Sequence, residues 1–390
     1  FGSENAALLF SVYAGEAGDY ETVVRYRNSS GSGKTLGLSV NGLEQNGGLA
    51  LPALGGSWSE TVVTLSLRAG MNTVTLQSDE AAPVSSGVDI DAIAVRGTSK
   101  PDYRGATLPF TTYEAEHGRT NGALLEPDRT YKTFASEASG RQAVRLDAEG
   151  QYVEFTAVKD ANSLVVRYII PDAQEGGGIE ETLTLYVDGV KRGKLGLSSE
   201  HSWVYGAYPW TNAPADGDAH RFYDESRMLT DPIPEGATVR LQKDADDQAE
   251  YVIVDLVELE QAPEAYAKPD GYLSVMDFGA VADDAGDDWN AFRDAIAAAK
   301  AQDKGLWIPA GTFQLRQGPL YVDNVTIRGA GMWHTTLQGA GFMAEGSNIR
   351  VYDLLLDVDV TSRRDEEREA GFDGTFGTGS VIQNVWIEHA

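Results

Sequence analysis

One strand pattern is written twice in this chain, and the duplication restricts the fold more than any other feature. Val23-Val24-Arg25-Tyr26 returns as Val165-Val166-Arg167-Tyr168, and Leu38-Ser39-Val40-Asn41-Gly42 as Leu185-Tyr186-Val187-Asp188-Gly189. Asp91-Ala92-Ile93-Ala94-Val95 returns as Asp255-Leu256-Val257-Glu258-Leu259. Three matches in the same order describe one unit made twice. Each phrase lies in a short run of alternating apolar and polar residues bounded by Gly, Ser and Asn, the period of a half-buried antiparallel strand. The Asn41-Gly42 dipeptide suits a tight hairpin. The spacing predicts two β-sandwiches, at 1–98 and 111–261, joined by a linker at 99–110, and the fold class is all-β. The second copy opens on Tyr113-Glu114-Ala115-Glu116. The first has no counterpart, so its opening strand is expected to lie upstream of Phe1, removed by processing or trimming.

After a Pro- and Ala-rich linker at 262–270 the pattern changes. Trp289, Phe292, Ile296 and Ala299 keep one helical face, with Asp287 or Asp288 as cap and Gly305 as stop. Asn324-Val325-Thr326-Ile327, Asn348-Ile349-Arg350-Val351 and Asn384-Val385-Trp386-Ile387 then repeat one phrase, the first two 24 residues apart. Such a repeat, with Asn at each corner, predicts the first coils of a right-handed parallel β-helix over 271–390, its open end covered by the helix. Three or four coils are few for a solenoid, so the chain reads as the front part of a longer protein. The remainder of the same β-helix is expected as its partner.

Charge narrows the partners. Lys and Arg total 31 against 59 Asp and Glu, a net −28. Nucleic acid and anionic membrane surfaces are therefore poor partners, and no apolar run is long enough to span a bilayer. The absence of cysteine removes disulfides, thiolate metal sites and thiol nucleophiles. The five histidines are dispersed without a zinc-hydrolase spacing, and no organic cofactor is expected. Thiols therefore do not set the compartment, although a Cys-free acidic chain sits comfortably outside a bacterial cell, and an extracellular, secreted protein is expected.

The Glu-Ala-Glu opening and the closing strand of the type Asp-x-Ile-x-Val resemble carbohydrate-binding modules of families 6 and 35. Asp277-Phe278-Gly279-Ala280, the Ala-rich helix and Ile308-Pro309-Ala310-Gly311-Thr312-Phe313 resemble the opening of pectate-lyase-like β-helix enzymes. Phe372-Asp373-Gly374-Thr375-Phe376-Gly377-Thr378-Gly379-Ser380 leads into Asn384-Val385-Trp386-Ile387-Glu388-His389. Together with His220-Arg221-Phe222-Tyr223-Asp224-Glu225, this segment resembles glycoside hydrolase family 87, the endo-α-1,3-glucanases and mycodextranases. That resemblance implies inverting hydrolysis of α-glucan by aspartates on coils after Trp-Ile-Glu-His, beyond Ala390, so no catalytic residue is carried over. The competing class is a non-catalytic glycan-binding, adhesive or tailspike-like β-helix, or a β-helix enzyme acting on another polysaccharide.

The binding modules imply a structural Ca²⁺ at Glu114, Glu116 and Asp255, hard oxygen ligands at one sandwich edge; solvated strand-end charge is the alternative. Asp91 matches Asp255 but lacks the glutamates. Sugar binding needs an aromatic platform and nearby polar groups. Trp58, in a loop after Gly55-Gly56-Ser57, and Asp89 match such positions, with Trp58 as core filler the alternative. Asp373, in a Gly-rich loop, lines a substrate cleft or starts a turn. Asp353, Asp357 and Asp359 read as a solvated coil face before a catalytic pair, and Glu388 and His389 as corner residues or the border of a cleft. Trp203, Tyr205, Tyr208 and Trp210 read as an interface.

Overall fold

A computed structural model describes residues 6–45, 47–53, 55–78, 87–96, 108–204, 220–221, 223–361 and 369–390, without the side chains of 203–204 and 220–221. They are mostly β-strand. By packing, the chain divides into one unit of Phe1–Pro109, Ala265–Leu356 and Phe372–Trp386, and a second of Phe110–Glu264, Asp357–Gly371 and Ile387–Ala390.

In the first unit, Ala7–Ala14, Gly70–Ser78, Lys34–Val40 and Leu43–Glu44 form an antiparallel sheet in that order, with Leu49–Leu51 also on Lys34–Val40. A three-stranded sheet follows the order Trp58–Leu67, Gly18–Asn28, Val88–Val95. Alternate residues turn inward, and Val24, Tyr26, Leu36, Leu38, Leu65 and Leu76 belong to one core. Asn41 and Gly42 both take positive φ, 50° and 75°, as the predicted hairpin requires.

The second unit repeats this pairing. Tyr152–Thr156, Thr238–Gln242, Glu180–Val187 and Val190–Ser198 form one run, and Asp224–Ile233, Ala161–Ile169 and Val252–Glu260 the other. Here Val252–Glu260 also pairs with Ala143–Leu146 and Phe110–Glu114. The duplication extends to a defect. Register slips between Arg25 and Tyr26 against Val88–Val95, and between Arg167 and Tyr168 against Val252–Glu260. In each copy the closing-strand aspartate, Asp91 or Asp255, is the unpaired residue of the bulge, re-aimed as bulges re-aim side chains.

In the third region Leu273–Ser274, Leu306–Ile308, Thr326–Gly329 and Arg350–Asp357 stack in parallel. Gly311–Gln314 stacks on Thr335–Gln338, and Leu320–Val322, Phe342–Gly346 and Phe372–Phe376 form a further parallel column. The helix Trp289–Gln302 buries Phe292, Ala295, Ile296 and Ala299 in the same core as these columns. Asp287 Oδ1 accepts the Trp289 N–H at 3.1 Å, while Asp288 is turned to the Val281 and Gln314 amides. The helix stops at Asp303, in the left-handed region at φ 51°, two residues before the expected Gly305. A Cβ on Gly305 would lie 2.2 Å from the Tyr272 ring, so close approach explains that glycine.

Asn324, Asn348 and Asn384 all have positive φ. Asn348 Nδ2 donates to Asn324 Oδ1 at 3.3 Å, the expected corner ladder. The third phrase departs from expectation. Val381 N–H donates to Ile349 O and Val358 N–H to Glu388 O, a register that sets Asn384 beside Asp353, with Nδ2 3.0 Å from Asp353 Oδ1. The residue stacked above Asn348 therefore comes from the Gly379 region, and the sequence likeness of Asn384-Val385-Trp386-Ile387 is not a structural equivalence.

Candidate functional site

The duplicated arginine organises the carboxylate edge of the second sandwich. Asp255 is fully buried. Its two oxygens accept the Ser139 N–H at 3.0 and 3.1 Å, and Oδ2 also accepts from Arg167. Ser139 Oγ donates to Glu114 Oε1 at 2.9 Å, so one serine joins the first and last strands. Burial pushes Asp255 up to about 6 against the opposing pull of Ser139 and Arg167, and burial also raises Glu116. Oε2 of Glu114 and of Glu116 are buried without a hydrogen-bond partner. The three predicted ligands thus share one edge, but they do not bring three carboxylate oxygens within 4.8 Å of one another. Asp255 is committed to Arg167 and Ser139. The donor set that fits a hard cation is the glutamate pair. Arg167, Ser139 and the turn that carries Ser139 escaped the sequence reading, although the repeated Val-Val-Arg-Tyr was the available signal for the arginine.

In the first sandwich, Trp58 and Asp89 flank Arg27 on neighbouring strands, in register with it on either side. Trp58 opens a strand rather than sitting in a loop, and at 43% exposure it is no core filler. The Arg25 and Arg27 guanidinium groups lie 5.4 and 5.2 Å from its ring centroid. Arg27 Nε donates to Asp89 Oδ2 at 2.8 Å, and Arg25 pairs with Asp91 at 3.0 Å. The result is an exposed row of indole, guanidinium and carboxylate that can stack a sugar ring and bond its hydroxyls.

The coil aspartates separate. Asp353, expected on a solvated face, is 1% exposed and ion-paired with Arg68 and Arg328. A buried charge requires such partners, and Arg68 lies too far away in sequence to be read as one. Asp373 sits within the strand Phe372–Phe376, where Oδ1 accepts the Gly374 N–H, not in a loop turn. In the second unit, Asp357 Oδ1 lies 2.8 Å from His389 Nδ1, and Asp359 N–H donates to the same oxygen at 3.1 Å. The His389 ring stacks on His201, centroids 3.9 Å apart. His201 Nδ1 faces the Val360 carbonyl at 3.1 Å and therefore carries the proton. Burial and then His389 lower His201; for His389 burial is outweighed by the bond to Asp357 and nearby acidic charge, and it rises. Asp357, Glu388 and His389 hold ligand-type atoms within 4.8 Å of one another. Tyr205, Tyr208 and Trp210, and the side chain of Trp203, lie outside the described residues.

The fold is thus antiparallel sheets in the first two regions and parallel columns in the third. Comparisons with known proteins go further. Residues 107–262 match the α-1,3-glucanase catalytic domain D1 family, and residues 272–384 the rhamnogalacturonase A/epimerase, pectate lyase-like family. The catalytic unit of a thermostable family 87 α-1,3-glucanase from Streptomyces thermodiastaticus is 38% identical with a TM-score of 0.64, covering 73% of this chain and 51% of that one. The Agl-KA catalytic domain is 32% identical with a TM-score of 0.65, covering 73% and 53%. A family 87 α-1,3-glucanase catalytic domain solved with tetrasaccharides is 30% identical with a TM-score of 0.62, covering 73% and 52%. A 1,6-α-glucosyltransferase of Sporosarcina globispora is 30% identical over 207 residues, 51% of this chain and 14% of that protein. The chain thus spans about half the length of these solved structures and far less of the curated relative. The family model over residues 107–262 and the solved structures of 38% and 30% identity are all described as α-1,3-glucanase catalytic domains or units, and it is to these that the chain is similar.

Proposed function

We propose that this is a secreted glycoside hydrolase that cleaves α-1,3-glucan internally and with inversion, its third region being the start of a right-handed parallel β-helix. The match of residues 107–262 to an α-1,3-glucanase catalytic domain carries the reading. Inversion needs one carboxylic acid to protonate the leaving oxygen and one carboxylate to activate water across the ring. Asp353 and Asp357 are held by arginine and histidine. Neither is given those roles, which fall to aspartates beyond Ala390. Incubation with insoluble α-1,3-glucan, followed by proton NMR of the first products, tests this. New reducing ends of β-configuration are expected when the chain is joined to the remaining coils, and none from residues 1–390 alone. The likeness to a glucosyltransferase favours one rival, transfer, which would yield new α-1,6 linkages in place of reducing ends.

Two supporting sites belong to the same reading. The Trp58 row is the glucan platform of the first sandwich; Trp58→Ala is expected to weaken retention on insoluble glucan by roughly tenfold, from the size of a stacking contact. Equal retention would remove Trp58 from the site. Glu114 and Glu116 hold a structural Ca²⁺, which would supply positive charge to two half-buried carboxylates, each with one buried, unpartnered oxygen. Saturating Ca²⁺ at a hundredfold over Kd stabilises by about 2.7 kcal/mol. EDTA should lower Tm by several degrees, and an unchanged Tm with no metal by elemental analysis would reject the site.

A further inference from the structure

Asp353 lies between two guanidinium groups that come from distant parts of the sequence. Oδ1 lies 2.9 Å from Arg68 Nη1, of the first sandwich, and Oδ2 accepts from Arg328 Nη1, of the coils, at 2.5 Å. The Arg68 guanidinium also lies 5.0 Å from the ring centroid of Tyr266, which precedes the coils. Beside this clasp the Tyr352 ring rests on the hairpin turn so closely that a Cβ on Gly42 would be 2.6 Å from it. A second set of bonds follows the same edge. Gln383 accepts from the Thr73 hydroxyl and donates to Asn41 Oδ1 at 3.2 Å, and Arg350 donates to Gln77 Oε1 at 3.2 Å. Asn41, Thr73 and Gln77 belong to adjacent parts of one sheet, and Arg350 and Gln383 to adjacent parallel strands.

Two features make this more than a surface contact. Asp353 and Tyr352 are each 1% exposed, so the centre of the contact is closed off from bulk solvent. Charges removed from water are tolerated only when paired, and breaking such a pair leaves an uncompensated charge. Without Asp353, Arg68 and Arg328 would face each other unneutralised.

We propose that the first sandwich is a fixed arm of the coil region, docked through an Asp353-centred clasp, and not a module swinging on the 99–110 linker. The docking surface is the edge formed by the Asn41-Gly42 turn and the strand Gly70–Ser78, and its partner is the parallel pair carrying Arg350–Asp353 and Gln383. For glucan binding, which rests on the function proposed above, the consequence is that the Trp58 row is presented at one orientation to the coils. A flexible tether would instead supply only a raised effective concentration.

The chain has no cysteine, so the contact can be trapped without background. Thr73→Cys with Gln383→Cys, in the full 390-residue chain, is treated with excess short bis-maleimide and the products are weighed by mass spectrometry. Docking predicts one intramolecular bridge in most molecules; a swinging module predicts two singly capped thiols, and that result overturns the proposal. If this pair fails to fold by circular dichroism, Gln77→Cys with Arg350→Cys reports the same edge. Adding Arg68→Ala should cut the bridging rate about tenfold or more, the least expected when one arm of a buried ion pair is lost. An unchanged rate would overturn the clasp. Because the readout is covalent and needs no sugar, failure of the glucan reading leaves this result intact.

Discussion

In the first sandwich Arg25 faces Asp91 across 3.0 Å with side chains 51% and 43% exposed. In the second, the duplicated Arg167 and Asp255 make the same pair at 20% and 0%. Motif, bulge and partner are shared, and the surroundings are not. The second copy covers its pair with the turn bearing Ser139 and adds Phe110–Glu114 and Ala143–Leu146 to the closing strand. Among the described residues the first copy has no such cover. A repeated motif therefore preserves the contact but not its energy, because the cost of leaving a charge unpaired scales with its removal from water.

The comparison breaks most readily at Arg167. Arg167→Ala strands a buried carboxylate and should destabilise the second sandwich by about 3–5 kcal/mol in denaturant melts. Its pH dependence has a definite sign. Asp255 is held above its ordinary value, so the protonated form favours folding, and stability is lost as pH rises from about 3.8 toward about 6. Without Arg167 the ionised form is worse tolerated, so the loss should be larger at pH 8 than at pH 5. A loss under about 1 kcal/mol would show that burial does not separate the two copies.

His389 and Asp357, at 22% and 14% exposure, lie between the extremes. His389 is raised, so its bond stabilises fully below about pH 6.5 and is lost as pH climbs through the folded value. The wild type should exceed His389→Gln at about pH 5.5, with the gap narrowing as pH rises. A gap that widened with pH would reverse the assigned protonation. The smallest effect belongs to Arg25→Ala, expected at about 0–1 kcal/mol and shrinking further in high salt. A loss comparable to that of Arg167→Ala would mean the first pair is shielded in a way its exposure denies.

Local chemistry was legible in the sequence, and long-range burial was not. Alternation and Asn-Gly marked the strands and hairpin, the duplicated phrases marked two related pairings, and the asparagines at 324 and 348 marked coil corners. Asp353 was misjudged because its burial depends on Arg68, whose proximity only the fold creates. Trp58 was placed in a loop because three small residues precede it, yet pairing with Arg27 starts a strand there. Asn384 misled for a different reason: likeness of phrase carries no register, which backbone bonding sets. The edge holding Glu114, Glu116 and Asp255 was anticipated as a neighbourhood, but the arginine that occupies Asp255 was not.

The changing stack offset has a further consequence. Thr326 sits on Arg350, 24 residues on, whereas Asp353 meets Asn384, 31 residues on. Within the stack each coil pairs with its immediate neighbours, so a turn can lengthen without disturbing the pile beneath it. The scaffold behaves like shelving with adjustable brackets: the uprights stay put while one side carries pieces of different size. New side chains can be hung on a longer turn, and the shelves that hold them need not be redesigned.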